Sequence, residues 1–411
     1  MGLIVQKFGG SSVATAEKIH AAGRKAIARK LQGHQVVVVV SAMGDTTDDL
    51  IELANKVCGD QIPPKREMDQ LLSTGEQVTI ALLAMAIHAQ GHEAISFTGG
   101  QIGMITDENF SKARVKELDK KRMMEQLDKG KIVIVAGFQG VTATGDVTTL
   151  GRGGSNATLV AIGAVLQATV CENYTDVDGI YTADPRIVKN ARKIERISYD
   201  EMMELSSVGA SVLQTRAVEF AKKYNVPIEV RNSAHDRPGT MIVAETESME
   251  HIVVSGCALK KDLTRITLKS VPDRPGIVAG LFAAVADANV VVDDIIQNVL
   301  DDGTANISFT VEHGDVTDIK PVVDRMLSEF GSGTAHFDTN LAKVSVVGVG
   351  MKQSTGVASL MFKALADQKV NIQNISTSEI RISCIIAKEE ASKALNAVHA
   401  AFDLASDPAK K

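Results

Sequence analysis

Two stretches of this chain align without a gap: PGIVAGLFAAVADANVVV, from Pro275, and TGVASLMFKALADQKVNI, from Thr355. Gly276 falls on Gly356, Phe282 on Phe362, Ala286 on Ala366, Asp287 on Asp367 and Val290 on Val370. Self-similarity at a fixed spacing means one supersecondary unit used twice. Each copy reads as strand, turn, helix, strand, and the segments TANISFTVEH and EIRISCIIAK each add another strand before a further helix. Units with β-α-β-β-α-β order are ferredoxin-like. The tail is therefore expected to hold two α+β domains, over 263–335 and 341–405, fused into one regulatory module.

The chain upstream follows a different rule. Up to about residue 245, short β-branched runs alternate with helical patterns: LIVQKF before residues 15–31, QVVVVVSAM before TTDDLIELANKV, then KIVIVAGFQG. Runs that are apolar at every position predict strands covered on both faces, as in a largely parallel sheet. A three-layer α/β domain over 1–245 follows, and the turn-rich, charged stretch SAHDRPGTMIVAETESMEH marks its end. A chain of 411 residues is long enough for two or three such cores.

Charge and cysteine usage narrow the partners. The formal net charge is -6 and Lys7 belongs to no basic cluster, which argues against nucleic acid and for small molecules. The four cysteines, at 58, 171, 257 and 384, form no CxxC pair, so neither a zinc site nor a disulfide framework is expected and a reducing cytoplasm fits. No basic, apolar leader opens the sequence and no run of ~18 apolar residues interrupts it, so no membrane association is expected.

Three segments carry candidate chemistry. In IVQKFGGSSVATAEKI, Gly9 and Gly10 allow backbone amides to approach an anion at a helix start, with Lys7 as a point charge; a tight turn beside a surface lysine reads equally well. TTLGRGGSNATLVAIGAVL repeats the device, with Arg152 able to hold a carboxylate by two bonds and Ser155 a hydroxyl at the helix start. YTDVDGIYTADPR offers Tyr181 to stack on a base and Asp176 and Arg186 to hold ribose or phosphates, although Asp-Gly and Asp-Pro are also plain turn formers. Glu76, in LLSTGEQV, reads either as a first-turn acid of a helix or as a partner for a substrate ammonium. No GxxxxGK[ST] is present, so the P-loop is excluded.

Taken in order, KFGGSSVA, VVVVVSAM, STGEQV, AGFQG, LGRGGS and YTDVDGIYTADPR, followed by the doubled tail, resemble the aspartate kinase family over essentially the whole chain. The resemblance implies an αβα-sandwich amino-acid kinase domain followed by two ACT domains. It implies ATP-dependent phosphorylation of the β-carboxylate of L-aspartate to 4-phospho-L-aspartate, at the entry to lysine, threonine and methionine biosynthesis. It assigns Lys7, Phe8, Gly9, Gly10, Ser41, Thr175, Asp176, Tyr181, Asp184 and Arg186 to ATP, and Glu76, Arg152, Gly153, Gly154 and Ser155 to aspartate. Magnesium is expected on ATP rather than in a protein cage, with no tightly bound organic cofactor. Lysine, threonine or both are the expected effectors, held by Asp273, Gly276, Ile277, Gln297, Asn371 and Ile372, and the expected assembly is a homo-oligomer or a complex with a shorter ACT-containing subunit.

Two positions depart from the family pattern. Asn156 stands where the family has a catalytic aspartate, and Ser211 where it has the lysine of GAKVL. Asn156 opens an alternative: a catalytically weakened paralogue that senses amino acids as a regulatory subunit.

Overall fold

The computed structural model describes residues 2–151, 153–210, 212–244 and 252–406, which divide into two compact units. The first is built on an eight-stranded sheet in the order Arg196–Ser198, Thr240–Val243, Ile228–Asn232, Val170–Thr175, Leu3–Phe8, Gln35–Val40, Ile132–Ala136, Ala94–Phe97. Neighbours run parallel except Ile228–Asn232 against Thr240–Val243. Val36 to Val40 are all buried, because helices cover both faces. Ala16–Leu31 and Lys65–His88 pack Ile19, Ala26, Leu83 and Ile87 against Phe8, Val38, Val40 and Ile134 on one face. Gly154–Val165 lies on the other, where Cys171 Sγ donates to Leu159 O at 3.7 Å, and Thr215–Tyr224 packs beside it. The expected αβα sandwich is therefore present.

One helix among the described residues, Lys65–His88, is long and apolar enough by composition to cross a membrane, but half of its apolar window is buried inside the protein. Its inward face carries a polar spine, Asp69, Ser73, Glu76 and Thr79, at helical spacing. Asp69 accepts from Ser111 N at 2.9 Å, Thr149 N at 2.8 Å and Thr149 Oγ1 at 2.7 Å. These bonds tie the helix to a small sheet formed by Val115–Glu117, Ile105–Thr106, Gln139–Val141 and Val147–Thr149. Burial raises the Asp69 pKa against the pull of those donors.

The second unit contains both repeats. In the first, Thr264–Pro272, helix Ile277–Asp287, Asp293–Val299, Thr304–Val311, helix Val316–Phe330 and Thr334–Asp338 follow β-α-β-β-α-β order. In the second, Leu341–Val347, helix Val357–Asp367, Asn374–Thr377, Arg381–Ala387 and helix Ala391–Ala401 are followed by no closing strand among the described residues. Gly256–Lys260, from before the first repeat, fills that edge, antiparallel to Leu341–Val347. Gly276 and Gly356 cap the two equivalent helices at φ 98° and 87°, a left-handed conformation that glycine adopts without penalty. The aligned segments read from sequence thus form corresponding helices in the two repeats.

Thr182–Arg192 and Val208–Ala210 also pack in this unit. Ala183 and Val188 join the core formed by Val344, Met361, Leu365 and Leu395, and Thr182 Oγ1 meets His399 Nε2 at 3.0 Å.

Candidate active site at the carboxyl ends of the central strands

Ligands of open α/β sheets bind beyond the carboxyl ends of the strands, and most residues singled out from sequence gather there. Lys7 is next to last in Leu3–Phe8, Ser41 follows Gln35–Val40, Gly137 follows Ile132–Ala136, and Thr175 ends Val170–Thr175. Backbone bonds lock these ends together: Ser41 N donates to Phe8 O at 3.1 Å, Gly137 N to Val40 O at 2.9 Å and Gly9 N to Tyr174 O at 3.3 Å.

The glycine turn differs from its sequence reading. The helix begins only at Ala16, capped by Thr15, and a single 3-10 turn, Gly10–Ser12, intervenes. The Gly9 amide is engaged by Tyr174 rather than open to an anion. Gly10 is required for another reason, since a Cβ there would lie 2.9 Å from Ala42 O. Lys7 is no surface lysine: it is 9% exposed, and burial lowers its pKa to about 8. No side-chain hydrogen bond or ion pair engages it among the described residues.

Glu76 is not a first-turn acid but lies midway along Lys65–His88. One carboxylate oxygen accepts from Ala42 N at 3.0 Å; the other is buried without a partner. Burial pushes its pKa up to about 7 against that bond. Ser41 Oγ donates to Ser155 Oγ at 3.0 Å, which brings a residue assigned to ATP against one assigned to aspartate. Ser155 and Asn156 occupy the first turn of Gly154–Val165, entered through Gly153 at φ 75°. Asn156 is 7% exposed and its Oδ1 has no partner. Arg152 and Ser211 lie outside the described residues.

The acidic loop divides between the units. Thr175 Oγ1 donates to Asp176 Oδ1 at 3.0 Å, and Tyr181 forms a bridge with Lys193 in the first unit. Asp184 and Arg186 belong to the second, paired at 2.8 Å; hydrogen bonding from Arg186 holds the Asp184 pKa below its usual value.

In the first repeat, Gln297 Nε2 donates to Asp273 Oδ1 at 3.4 Å, so two expected effector residues meet. Asp273 does not cap the helix, because Gly276 occupies that position before Ile277. Asn371 and Ile372 precede Asn374–Thr377 in the sheet of the second repeat.

Sequence reasoning missed what lies directly beneath the site. Glu172 is fully buried, accepts from Gln6 Nε2 at 2.8 Å and Tyr174 OH at 3.1 Å, and pairs with Arg29. Tyr174 stacks on Phe8 with centroids 4.7 Å apart. This network fixes the strand end that presents Lys7. Asn173, beside it, is also fully buried, and neither amide atom has a partner. The available signal was polar residues inside strands expected to be covered on both faces, Gln6 in LIVQKF and Glu172 and Asn173 in VCENYT.

The amino acid kinase family profile matches residues 2–232, and ACT-domain profiles match 264–331 and 344–402. An aspartate kinase of Stutzerimonas stutzeri (strain A1501) is 48% identical over 405 residues, 98% of each chain. Aspartokinase 2 of Bacillus subtilis (strain 168) is 48% identical over 408 residues, 99% of each. The crystal structure of E. coli aspartokinase III with aspartate and ADP matches with a TM-score of 0.85 over 97% of this chain and 99% of that one, at 24% identity, a likeness of fold. The chain belongs to the amino acid kinase family and, within it, to the aspartate kinases.

Proposed function

We propose that this aspartate kinase transfers the γ-phosphoryl group of Mg-ATP to the β-carboxylate of L-aspartate at the strand-end site. The observation that carries the reading is the convergence of Lys7, Ser41, Glu76 and Ser155 at one end of the sheet, joined by the Ser41–Ser155 bond. The β-carboxylate is already ionised at neutral pH and needs no general base. It needs alignment with the γ-phosphate and relief of like-charge repulsion. Lys7 supplies a partly desolvated positive charge, and Glu76, with one oxygen free, accepts the substrate ammonium. Arg152 clamps the α-carboxylate. Magnesium enters as part of the nucleotide and neutralises phosphate charge, while Phe8 to Gly10, Thr175, Asp176 and Tyr181 serve the nucleotide.

We place the catalytic domain over 1–245 and the ACT domains over 263–335 and 341–405, with lysine or threonine bound near Asp273 and Gln297. The four free thiols suit a reducing cytoplasm. ACT pairing gives a homo-oligomer or a complex with a shorter ACT-containing subunit. The partnerless Oδ1 of Asn156 favours a second reading, a weakened paralogue that acts as a regulatory subunit. A hydroxamate assay with aspartate and Mg-ATP, run beside Asn156→Asp, separates the two: turnover by the natural chain supports the enzyme, and turnover only after the substitution supports the paralogue.

A further inference from the structure

Asp178 lies between Asp176 and Tyr181, in the loop that follows strand Val170–Thr175. Two side chains, from the end of the neighbouring strand Ile228–Asn232 and from the turn after it, converge on one oxygen of its carboxylate. Asn232 Nδ2 donates to Asp178 Oδ1 at 2.6 Å, and His235 Nε2 lies 2.9 Å from the same atom. Asn232 Nδ2 also donates to Asp176 O at 3.4 Å. Asn232 is the register partner of Thr175, and Ser233 N donates to Thr175 O at 2.8 Å, so the grip begins where the two strands end.

Both side chains are themselves oriented. Asn232 Oδ1 accepts from Ala234 N at 2.8 Å, which fixes the end of the amide that meets Asp178. Arg237 N donates to His235 Nδ1 at 3.3 Å, so the neutral ring carries its proton on Nε2 and donates it to the carboxylate. The turn is braced from outside: Lys25 Nζ donates to His235 O at 3.0 Å and to Asp236 Oδ1 at 2.6 Å, and Arg231 Nη2 donates to Asp236 O at 3.0 Å. Farther along, Pro238 O accepts from Lys193 Nζ at 2.6 Å, and Lys193 forms the bridge to Tyr181. Residues 232–238 therefore hold the loop at Asp178 and, through Lys193, at Tyr181. The His235 and Asp178 side chains are 29% and 37% exposed, so neither fills a core.

We propose that Asn232 and His235 are positioning residues for nucleotide binding: through Asp178 they hold the loop over residues 176–181 in the conformation that meets ATP. The inference rests on the reading that Thr175, Asp176 and Tyr181 serve the nucleotide. Binding loops work from a rigid scaffold, and a loop ordered beforehand loses less conformational freedom when its ligand arrives. The grip therefore acts on nucleotide affinity. It does not act on aspartate, because Glu76 and Ser155 stand on the helices Lys65–His88 and Gly154–Val165.

Isothermal titration calorimetry of the full chain with Mg-ATP, and separately with aspartate, reads binding without turnover. His235→Ala weakens Mg-ATP binding roughly 5- to 10-fold, the effect of losing one hydrogen bond to a charged group, and leaves aspartate binding unchanged. His235→Gln, which returns an N–H donor, restores most of the affinity. In an Asp178→Ala background, His235→Ala has no further effect, because its partner is already gone. Tyr181→Ala tests the underlying reading. Unchanged Mg-ATP binding in folded His235→Ala, with weakened binding in Tyr181→Ala, leaves the loop on the nucleotide and overturns the positioning role. Unchanged binding in both overturns the nucleotide assignment and this inference with it. Equal weakening of Mg-ATP and aspartate binding in His235→Ala makes the turn a general structural support and also overturns the proposal. If His235→Ala does not fold, Asp178→Ala decides by the same comparison.

Discussion

Lys7 and Glu76 carry opposite charges into burial, and each is driven toward neutrality, Lys7 to a pKa of about 8 and Glu76 to about 7. Their effects on stability have definite signs. Folded Glu76 binds its proton more tightly than the unfolded chain, so stability falls as pH rises from about 4.5 to 7 and the penalty is fully present above that window. Glu76→Gln keeps the acceptor for Ala42 N and removes the charge. It should stabilise the fold at pH 8 by as much as ~3 kcal/mol and lose most activity, as calorimetry and the hydroxamate assay would show; a lower melting temperature at pH 8 contradicts the burial account. Lys7 has the reverse dependence, since the unfolded chain binds the proton more tightly and stability rises between about pH 8 and 10.5. Under the proposed role of Lys7, catalysis should run the other way and decline above about pH 8 as the positive charge is lost. Lys7→Ala should therefore abolish turnover yet leave the melting temperature at pH 8 unchanged or raised.

The elements show where sequence patterns were sufficient and where they were not. QVVVVV could only be a strand covered on both faces, and the parallel sheet followed from it. Ser-Thr-Gly before Glu76 imitates a helix start, but tertiary packing carries Lys65–His88 through it, with Gly75 allowing close approach to Ala42, whose Cβ would lie 2.7 Å from a Cβ added at Gly75. The turn before Gly154–Val165 was legible, and its glycine has a sharp requirement: at Gly153 φ is 75° and an added Cβ would lie 3.1 Å from Gln214 Cβ. Gly153→Ala should cost about 1–2 kcal/mol and raise the KM for aspartate more than that for ATP. A selective effect on ATP would reassign the turn. In the second unit, Lys343 is 2% exposed and bonds Asp293 at 2.6 Å and Asp294 at 2.8 Å. Lys343→Met strands Asp294 in the interior and should destabilise by about 3–5 kcal/mol, measured by denaturant titration; an unchanged midpoint would mean that water already solvates the pair.

For the whole molecule, the repeat announced two ferredoxin-like sheets, yet not that Gly256–Lys260 would complete the second. Strand pairing across the intervening first repeat leaves no local pattern, because alternation fixes which face is buried and not which distant edge receives the strand. The same limit hid Thr182–Arg192, whose Ala183 and Val188 look like loop residues until packed against Val344 and Leu395. Regulation is a property of this scale. An effector acts only by binding one state better than another, so Gln297→Ala should relieve inhibition by lysine or threonine with little change in the uninhibited rate, and persistent inhibition would move the effector site elsewhere. The central claim, that this chain with asparagine at 156 is a working aspartate kinase, is tested most directly by its own turnover. Purified protein with aspartate, Mg-ATP and hydroxylamine should form aspartyl hydroxamate at a rate that saturates in both substrates and disappears in Lys7→Ala. Folded protein that forms none, while Asn156→Asp does, would contradict it.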